Sequence, residues 1–246
     1  MTLKNVIHPD DRRKKLITLL KDNKCIRVIE AHNGISGLIG NDISVGKNSK
    51  KVEFHALWES SLTDTASKAY PDAEIIGFDS RLETIRQILD ATYKPMIVDG
   101  DTGGEVNHFE YMVKRLESAG VSAVIIEDKV FPKRNSLEGG TKQDLEDPKV
   151  FANKIKRGKK VLLSDDFMII SRLESLIAGL GINDALRRAE KYLLAGTDGI
   201  MIHSKNKDPS EIFEFAEKYE KLCGKLGFRK PLVCVPTTYN SITEEE

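Results

Sequence analysis

The segment Val98-Asp99-Gly100-Asp101-Thr102-Gly103-Gly104 puts two carboxylates at the end of the apolar run Pro95-Met96-Ile97-Val98. If the strand continues through Asp101, side chains two residues apart point to the same side. Glu127 closes the next apolar run and adds a third carboxylate. Crowded carboxylates repel and shift one another's pKa; a divalent cation removes that penalty. An all-oxygen set without His or Cys suits Mg²⁺, with waters completing the octahedron. Taken alone, an Asp-x-Asp pair is more often a solvated loop or a helix cap. Arg172 and His203 close two further apolar runs and so face the same mouth. Arg can grip a phosphate or carboxylate with two parallel N–H groups, and His can donate a hydrogen bond or move a proton. Plainer readings stand beside these: Arg172 as a salt-bridge partner of Glu127 or Glu174, and His203 as a core histidine. His32-Asn33-Gly34 ends the first run and reads equally well as a turn cap.

Lys129 to Lys142 is long, basic and rich in turn formers, the character of an active-site lid. Lys133, Arg134 and Asn135 are placed to fold over an anionic substrate. The basic run Lys156 to Lys160 reads instead as charge at a helix end.

Positioning these groups requires strands whose C-terminal ends lie together. Apolar runs at residues 26–30, 54–58, 95–98, 123–126, 167–170, 199–202 and 232–235 read as seven strands. Residues 10–21, 80–91, 109–119, 147–157, 183–195 and 208–226 carry helical spacing, the last opening on Asp208-Pro209. Continuous apolar strands alternating with helices predict a parallel sheet covered on its faces. Seven such units without a break in composition predict one (β/α)8-type barrel domain over residues 1–246, with active residues at strand ends. The eighth unit is absent. A seven-stranded barrel leaves two unpaired edges, so the sequence is expected to be C-terminally truncated, with Glu244-Glu245-Glu246 as the start of a further helix.

The bulk numbers fit a cytoplasmic enzyme. The 246 residues carry 38 Lys plus Arg and 38 Asp plus Glu, so no net charge draws the chain to nucleic acid or an anionic membrane. The charged N-terminus is no signal peptide, and no apolar run approaches the about 20 residues that span a bilayer. Cys25, Cys223 and Cys234 are too few and too scattered for a disulfide framework or a zinc site and are expected as buried thiols.

Six segments together carry a resemblance: Glu30-Ala-His-Asn-Gly34, Trp58-Glu-Ser-Ser-Leu62, Asp99-Gly-Asp-Thr-Gly103, Glu127-Asp-Lys129, Lys133-Arg-Asn-Ser-Leu137 and Ser171-Arg-Leu-Glu174, with Ile202-His-Ser-Lys205 and Val235-Pro-Thr237 beyond them. The chain resembles the phosphoenolpyruvate mutase family within the isocitrate lyase and phosphoenolpyruvate mutase superfamily, over nearly its whole length. The resemblance implies a (β/α)8 barrel that exchanges its last helices between subunits, hence a homo-oligomer, and a small-molecule substrate. It implies a Mg²⁺ held directly by Asp99, with Asp101 and Glu127 acting largely through water, and an acidic neighbour in Asp72. Trp58 and Ser60, with the backbone amides of Ser61 and Leu62, match the substrate-anchoring turn; Arg172 and His203 match the groups that hold the substrate anion; Lys133, Asn135, Ser136 and Leu137 match the lid. Asp-Gly-Asp departs from the family's Asp-Ala-Asp, and the glycine is expected to loosen the backbone there. Mutases of the family carry Asn in the lid where phosphonopyruvate hydrolases carry Thr, so Asn135 points to the mutase. The lyases use a Cys-containing motif after the fourth strand, which this chain lacks. The expected activity is interconversion of phosphoenolpyruvate and 3-phosphonopyruvate. Its alternatives are phosphonopyruvate hydrolysis, carbon–carbon cleavage of oxaloacetate or 2-methylisocitrate, and an inactive barrel fragment.

Overall fold

The sequential elements of the computed structural model, which describes residues 7–46, 51–138 and 142–243, follow the predicted alternation. They are α1 (Pro9–Asp22), β1 (Val28–Ala31), α2 (Gly34–Asp42), the short strands β2 (Ser44–Val45) and β3 (Val52–Glu53), β4 (Ala56–Glu59), α3 (Ser61–Ser67), α4 (Phe78–Ala91), β5 (Met96–Asp99), α5 (Val106–Ala119), β6 (Ala123–Glu127), α6 (Pro148–Lys160), β7 (Met168–Leu173), α7 (Gly181–Ala195), β8 (Gly199–Ile202), α8 (Ser210–Leu226) and β9 (Leu232–Cys234). The expected strands and helices form, with ends shifted by a few residues. The helices α2 and α3 and the β2–β3 hairpin add to them. Periodicity hides α2 because its glycines lower helix propensity. Its start is instead fixed by a capping box: Asn33 Oδ1 accepts from Ser36 N, and Ser36 Oγ accepts from Asn33 N.

The seven long strands are all parallel and pair in chain order, β1-β4-β5-β6-β7-β8-β9. An order without reversal is that of a barrel, whereas a doubly wound sheet reverses at its switch point. Alternate residues then separate two apolar layers. Leu57, Val98, Val124, Ile126 and Ile169 pack outward beneath the helices. Ala56, Ile97, Ala123, Ile125, Met168, Ile170 and Met201 pack inward, joined by Val28 of the first strand and Val233 of the last. Contact of both end strands with one inner cluster shows that the sheet curls. Leu16 of α1 closes this cluster from below. Arg12 and Arg13 tie α1 down by donating to the carbonyls of Leu89, Thr92 and Glu117 at helix C-terminal ends.

Among the described residues β1 and β9 each have one neighbour. The architecture is therefore a curled half-barrel of seven parallel strands and eight helices, a (β/α)8-type barrel lacking part of the fold. Glu244–Glu246, expected to begin another helix, and Gly139–Thr141 of the lid segment lie outside the described residues. Cys223 is buried as expected, but Cys25 and Cys234 are exposed free thiols. Cys234 sits on an edge strand, paired on one side with Ile202 of β8, and Cys25 precedes the other edge strand. No helix among the described residues is long and apolar enough to cross a membrane.

Candidate functional site

Above the apolar inner layer the same alternation brings up polar side chains: Glu30, Trp58, Asp99, Glu127 and Arg172, with His203 just past β8. Glu127 and Arg172 are register partners on β6 and β7. Asp101 does not continue the strand. β5 ends at Asp99, and Asp101 lies in a turn at φ 52°. The turn is stitched to β6, with Gly100 N donating to Ile125 O and Glu127 N to Asp101 O, each at 2.7 Å. A Cβ on Gly100 would stand 2.7 Å from Val124 Cγ2 and 2.9 Å from Ile126 Cγ2. Glycine there is thus a packing requirement set by two branched neighbours, not the loosening expected from the sequence.

The three carboxylates also do not meet as the sequence suggested. Among the described residues no three His, Cys, Asp or Glu side chains are placed to share a metal ion. The buried ammonium of Lys133, from the lid, stands among them instead. Lys133 Nζ lies 2.7 Å from Asp101 Oδ1 and 2.9 Å from Asp72 Oδ1, and donates to Ser61 Oγ at 3.1 Å. Ser61 Oγ in turn donates to Asp99 Oδ2 at 3.0 Å. Like charges this close need a positive neighbour, and Lys133 supplies it. Burial opposes the Lys133 charge, but Asp101, Glu127, Asp99 and Asp72 hold it protonated above the usual lysine range. Burial likewise opposes ionised Asp99, yet Lys133, Arg172 and Arg81 keep its carboxyl below the ordinary value.

Glu127 is held differently. Burial, reinforced by Glu174, pushes its carboxyl up to about 8 against the pull of Arg172. Its Oε1 is buried without a hydrogen-bond partner, the Lys129 ammonium standing 3.9 Å away. A buried carboxylate oxygen left without a hydrogen-bond partner suits a hard cation such as Mg²⁺, which prefers oxygen ligands.

On the other side of the mouth, Arg172 Nε donates to Glu174 Oε1 at 2.5 Å and Nη2 lies 3.4 Å from Glu127 Oε2. His203 Nδ1 is 2.9 Å from Glu174 Oε1 and 2.7 Å from Arg172 Nη2. Both ion-pair readings of Arg172 are therefore present, and they orient the group rather than remove it from the mouth. Burial and Arg172 lower the His203 pKa against the opposing Glu174.

The lid segment lies across this constellation. Lys133 and Ser136 are buried, whereas Leu137 is half exposed and Arg134 points outward, against the expectation that it covers the site. Asn135 Nδ2 donates to Asp72 Oδ2 at 2.8 Å, and Asn135 Oδ1 accepts from Leu137 N. Lys133 N donates to Glu74 Oε2 at 3.0 Å, while Glu74 Oε1 accepts from Thr102 N and Oγ1. Ser60 caps α3 through Thr63 N, so the amides of Ser61 and Leu62 are among the first of that helix and have no intrahelical acceptor. His32 pairs with Glu30 at 3.0 Å, and the adjacent Asn33 is the α2 cap.

Sequence reading missed Arg81, Glu59, Glu74 and the hub role of Glu174. Arg81 Nη1 donates to Asp101 Oδ2 at 2.9 Å and Nη2 to Glu59 Oε2 at 2.5 Å. Its only signal was a charged residue beside Leu82 on a helix whose apolar face packs inward, which does not tell buried from solvated.

The chain is similar to known proteins over nearly its whole length. The family model for phosphoenolpyruvate phosphomutase matches residues 16–246. A phosphoenolpyruvate phosphomutase of Tetrahymena pyriformis is 34% identical over 242 residues, 98% of this chain and 75% of its own length. A phosphonopyruvate hydrolase of Variovorax sp. (strain Pal2) is 36% identical over 236 residues, 96% of this chain and 76% of the relative. The crystal structure of a phosphoenolpyruvate phosphomutase from Streptomyces platensis subsp. rosaceus superposes with a TM-score of 0.83 at 34% identity, covering 94% of this chain and 75% of that one. A phosphonopyruvate hydrolase solved with oxalate and Mg²⁺ gives 0.81 at 34% identity, covering 95% and 75%. With a family model spanning nearly the whole chain and a relative 34% identical over 98% of it, the chain belongs to the phosphoenolpyruvate phosphomutase family of enzymes.

Proposed function

We propose that the protein is a Mg²⁺-dependent mutase that interconverts phosphoenolpyruvate and 3-phosphonopyruvate. In that reaction the P–O bond to the enol oxygen breaks and a P–C bond to the former methylene carbon forms, without water. Phosphoryl transfer has a loose transition state, so a protein serves it chiefly by positioning groups and matching charge. Arg172 and His203 hold the migrating phosphoryl group. Trp58, Ser60 and the amides of Ser61 and Leu62 anchor the pyruvate end. Asp99, Asp101 and Glu127 are the residues that would hold Mg²⁺, which when bound supplies positive charge to the enolate oxygens. Lys133, Asn135, Ser136 and Leu137 close the lid and keep water from the transferring group.

The observation that favours the mutase over the hydrolase is Asn135 in a lid that is shut: its amide is hydrogen-bonded to Asp72 beside the buried Lys133. The resemblance links Asn at this position with the mutases and Thr with the hydrolases. The mutase and hydrolase relatives are similarly close in identity, so the overall likeness does not choose between them. A homo-oligomeric assembly and a cytoplasmic setting belong to the same reading. The test is ³¹P NMR of the protein with Mg²⁺ and 3-phosphonopyruvate. Appearance of phosphoenolpyruvate supports the mutase. Inorganic phosphate in its place makes the chain a hydrolase, and no turnover of either makes it an inactive barrel.

A further inference from the structure

The Glu174 carboxylate is fully buried and has four polar side chains around it. Its Oε1 accepts from Arg172 Nε at 2.5 Å and stands 2.9 Å from His203 Nδ1. Its Oε2 accepts from Ser136 Oγ at 2.7 Å and lies 3.2 Å from Lys129 Nζ. A carboxylate offers about four lone-pair sites; Arg172, Ser136 and Lys129 take three, and the fourth faces His203 Nδ1. Two of these groups come from strand ends at the mouth, and two come from the segment that forms the lid. The backbone beneath it is fixed as well: Glu174 N donates to Asp128 Oδ1 at 2.9 Å, and Asp128 Oδ2 is held by Arg188 and Tyr192.

One nitrogen in this cluster receives opposite demands. Arg172 Nη2 stands 2.7 Å from His203 Nδ1, and a guanidinium only donates. Glu174, kept ionised against burial by Arg172 and His203, only accepts. Nδ1 cannot serve both. Arg172 Nη2 has Ser136 Oγ at 3.1 Å and Glu127 Oε2 at 3.4 Å for its two protons. Glu174 therefore has the stronger claim on Nδ1.

We infer that Glu174 is the positioning residue of the site: it fixes His203 with its proton on Nδ1, aims Arg172, and fastens the lid to both through Ser136. This rests on the reading of Arg172 and His203 as the clamp for the substrate anion. With Nδ1–H committed to Glu174, Nε2 is the basic nitrogen of the ring. A phosphonate or phosphate that enters with a proton on oxygen passes that proton to Nε2. The resulting imidazolium then donates Nε2–H back to the anion, with Glu174 balancing its charge from behind. The same carboxylate couples lid closure to clamp geometry, because Ser136 reaches Glu174 only when the segment lies across the mouth.

The test is ¹⁵N NMR of the full chain labelled at its five histidines, with His203→Asn identifying the resonance. The expected result is a neutral His203 protonated on Nδ1. Protonation on Nε2 would overturn the inference, since the Arg172 contact would then own Nδ1. Steady-state kinetics of Glu174→Gln should show a loss of about 10- to 100-fold in kcat/KM, the usual size for a group that orients direct binders. Most of the loss should fall on KM, with partial rescue by Glu174→Asp. An unchanged kcat/KM overturns it too. If Glu174→Gln does not fold, the wild-type spectrum alone decides. Wild-type protein that produces no phosphoenolpyruvate defeats the functional reading without moving the spectrum. An active wild type with the Nε2–H tautomer defeats this inference alone.

Discussion

The floor and the mouth of the half-barrel are built on the same strands with the same alternation, yet they handle buried charge in opposite ways. At the floor the inner face is Val28, Ala56, Ile97, Ala123 and Met168; the buried Arg12 of α1 meets the neutral carbonyls of Leu89 and Thr92, and Arg13 meets the Glu117 carbonyl and the half-exposed Asp10 of its own helix. Burial lowers the Arg12 pKa to about 10, with Asp90 giving only distant support. At the mouth Arg81 and Arg172 are pushed the other way by Glu59, Asp101 and Asp99 in the first case and by Glu174, Glu127 and Asp99 in the second, despite their burial. Buried charges matched to dipoles fasten a fold. Buried charges matched to one another, with an orphaned Glu127 oxygen among them, are poor devices for stability alone and are the pattern on which the proposed site rests.

That contrast predicts a separation of activity from stability. Asp99→Ala at the mouth should lower turnover by about 10³-fold or more, the scale of a lost electrostatic stabiliser. Its thermal midpoint should stay within a few degrees of wild type. Chelation of divalent ions should silence the wild type in the same ³¹P assay, and Mg²⁺ should restore it. Normal activity without Asp99, or in the presence of a chelator, would sink the proposed mechanism. Leu16→Ala at the floor should do the reverse. Leu16 is 1% exposed in the inner cluster, and such a truncation costs about 2–5 kcal/mol. Urea melts should record that loss, while kcat/KM stays as in wild type; a fall in kcat/KM to match would join the two regions into one functional unit.

The floor was legible in the sequence because period-two alternation and apolar runs are local signals. The strands at 95–98 and 199–202 show it, and so does the barrel order that follows from their number. The mouth was legible only in part. Asp99, Glu127 and His203 were found because each directly follows an apolar run, and Arg172 because it lies two residues past one; their side of the sheet follows from that. Asp101 was placed on the strand because spacing cannot reveal a left-handed turn two residues past a strand end. Lys133 was taken as a lid residue, but its position among four acidic groups depends on how the loop crosses the sheet, which no local pattern encodes. Arg81 and Glu59 were silent for the same reason: a salt bridge between a helix face and a strand end has no fixed sequence separation. The α2 helix was missed because a capping box, not a hydrophobic stripe, announces it.

Within the mouth the comparison sharpens to the lid. Asn135→Thr removes the amide that donates to Asp72 Oδ2. A hydrogen bond to a charged group contributes about 1.5–3 kcal/mol, so the ratio of inorganic phosphate to phosphoenolpyruvate should rise by about 10- to 100-fold. Integrated ³¹P signals check this. A product ratio identical to wild type would show that the lid residue does not choose between isomerisation and hydrolysis.

The smallest effect should appear as a pH slope. Glu59 is fully buried, and burial, with Asp64 and Asp99 nearby, raises its carboxyl to about 7 even though Arg81 pulls it down. In the unfolded chain the same group titrates near 4.5. Between those values the folded state binds more protons, so stability falls as pH rises. The contribution is fully present below about pH 4.5 and is lost by about pH 7. The buried Arg12 of the floor, lowered only to about 10, stays charged throughout this interval. Urea denaturation at pH 5 and at pH 7.5 should therefore show a decline from Glu59 on the order of 1 kcal/mol. Glu59→Gln keeps a carbonyl for Arg81 but cannot ionise, so its decline over the same interval should be smaller by that amount. Equal slopes in the two proteins would mean that Arg81 fully compensates the buried carboxylate, and the mouth would then resemble the floor in how it carries charge.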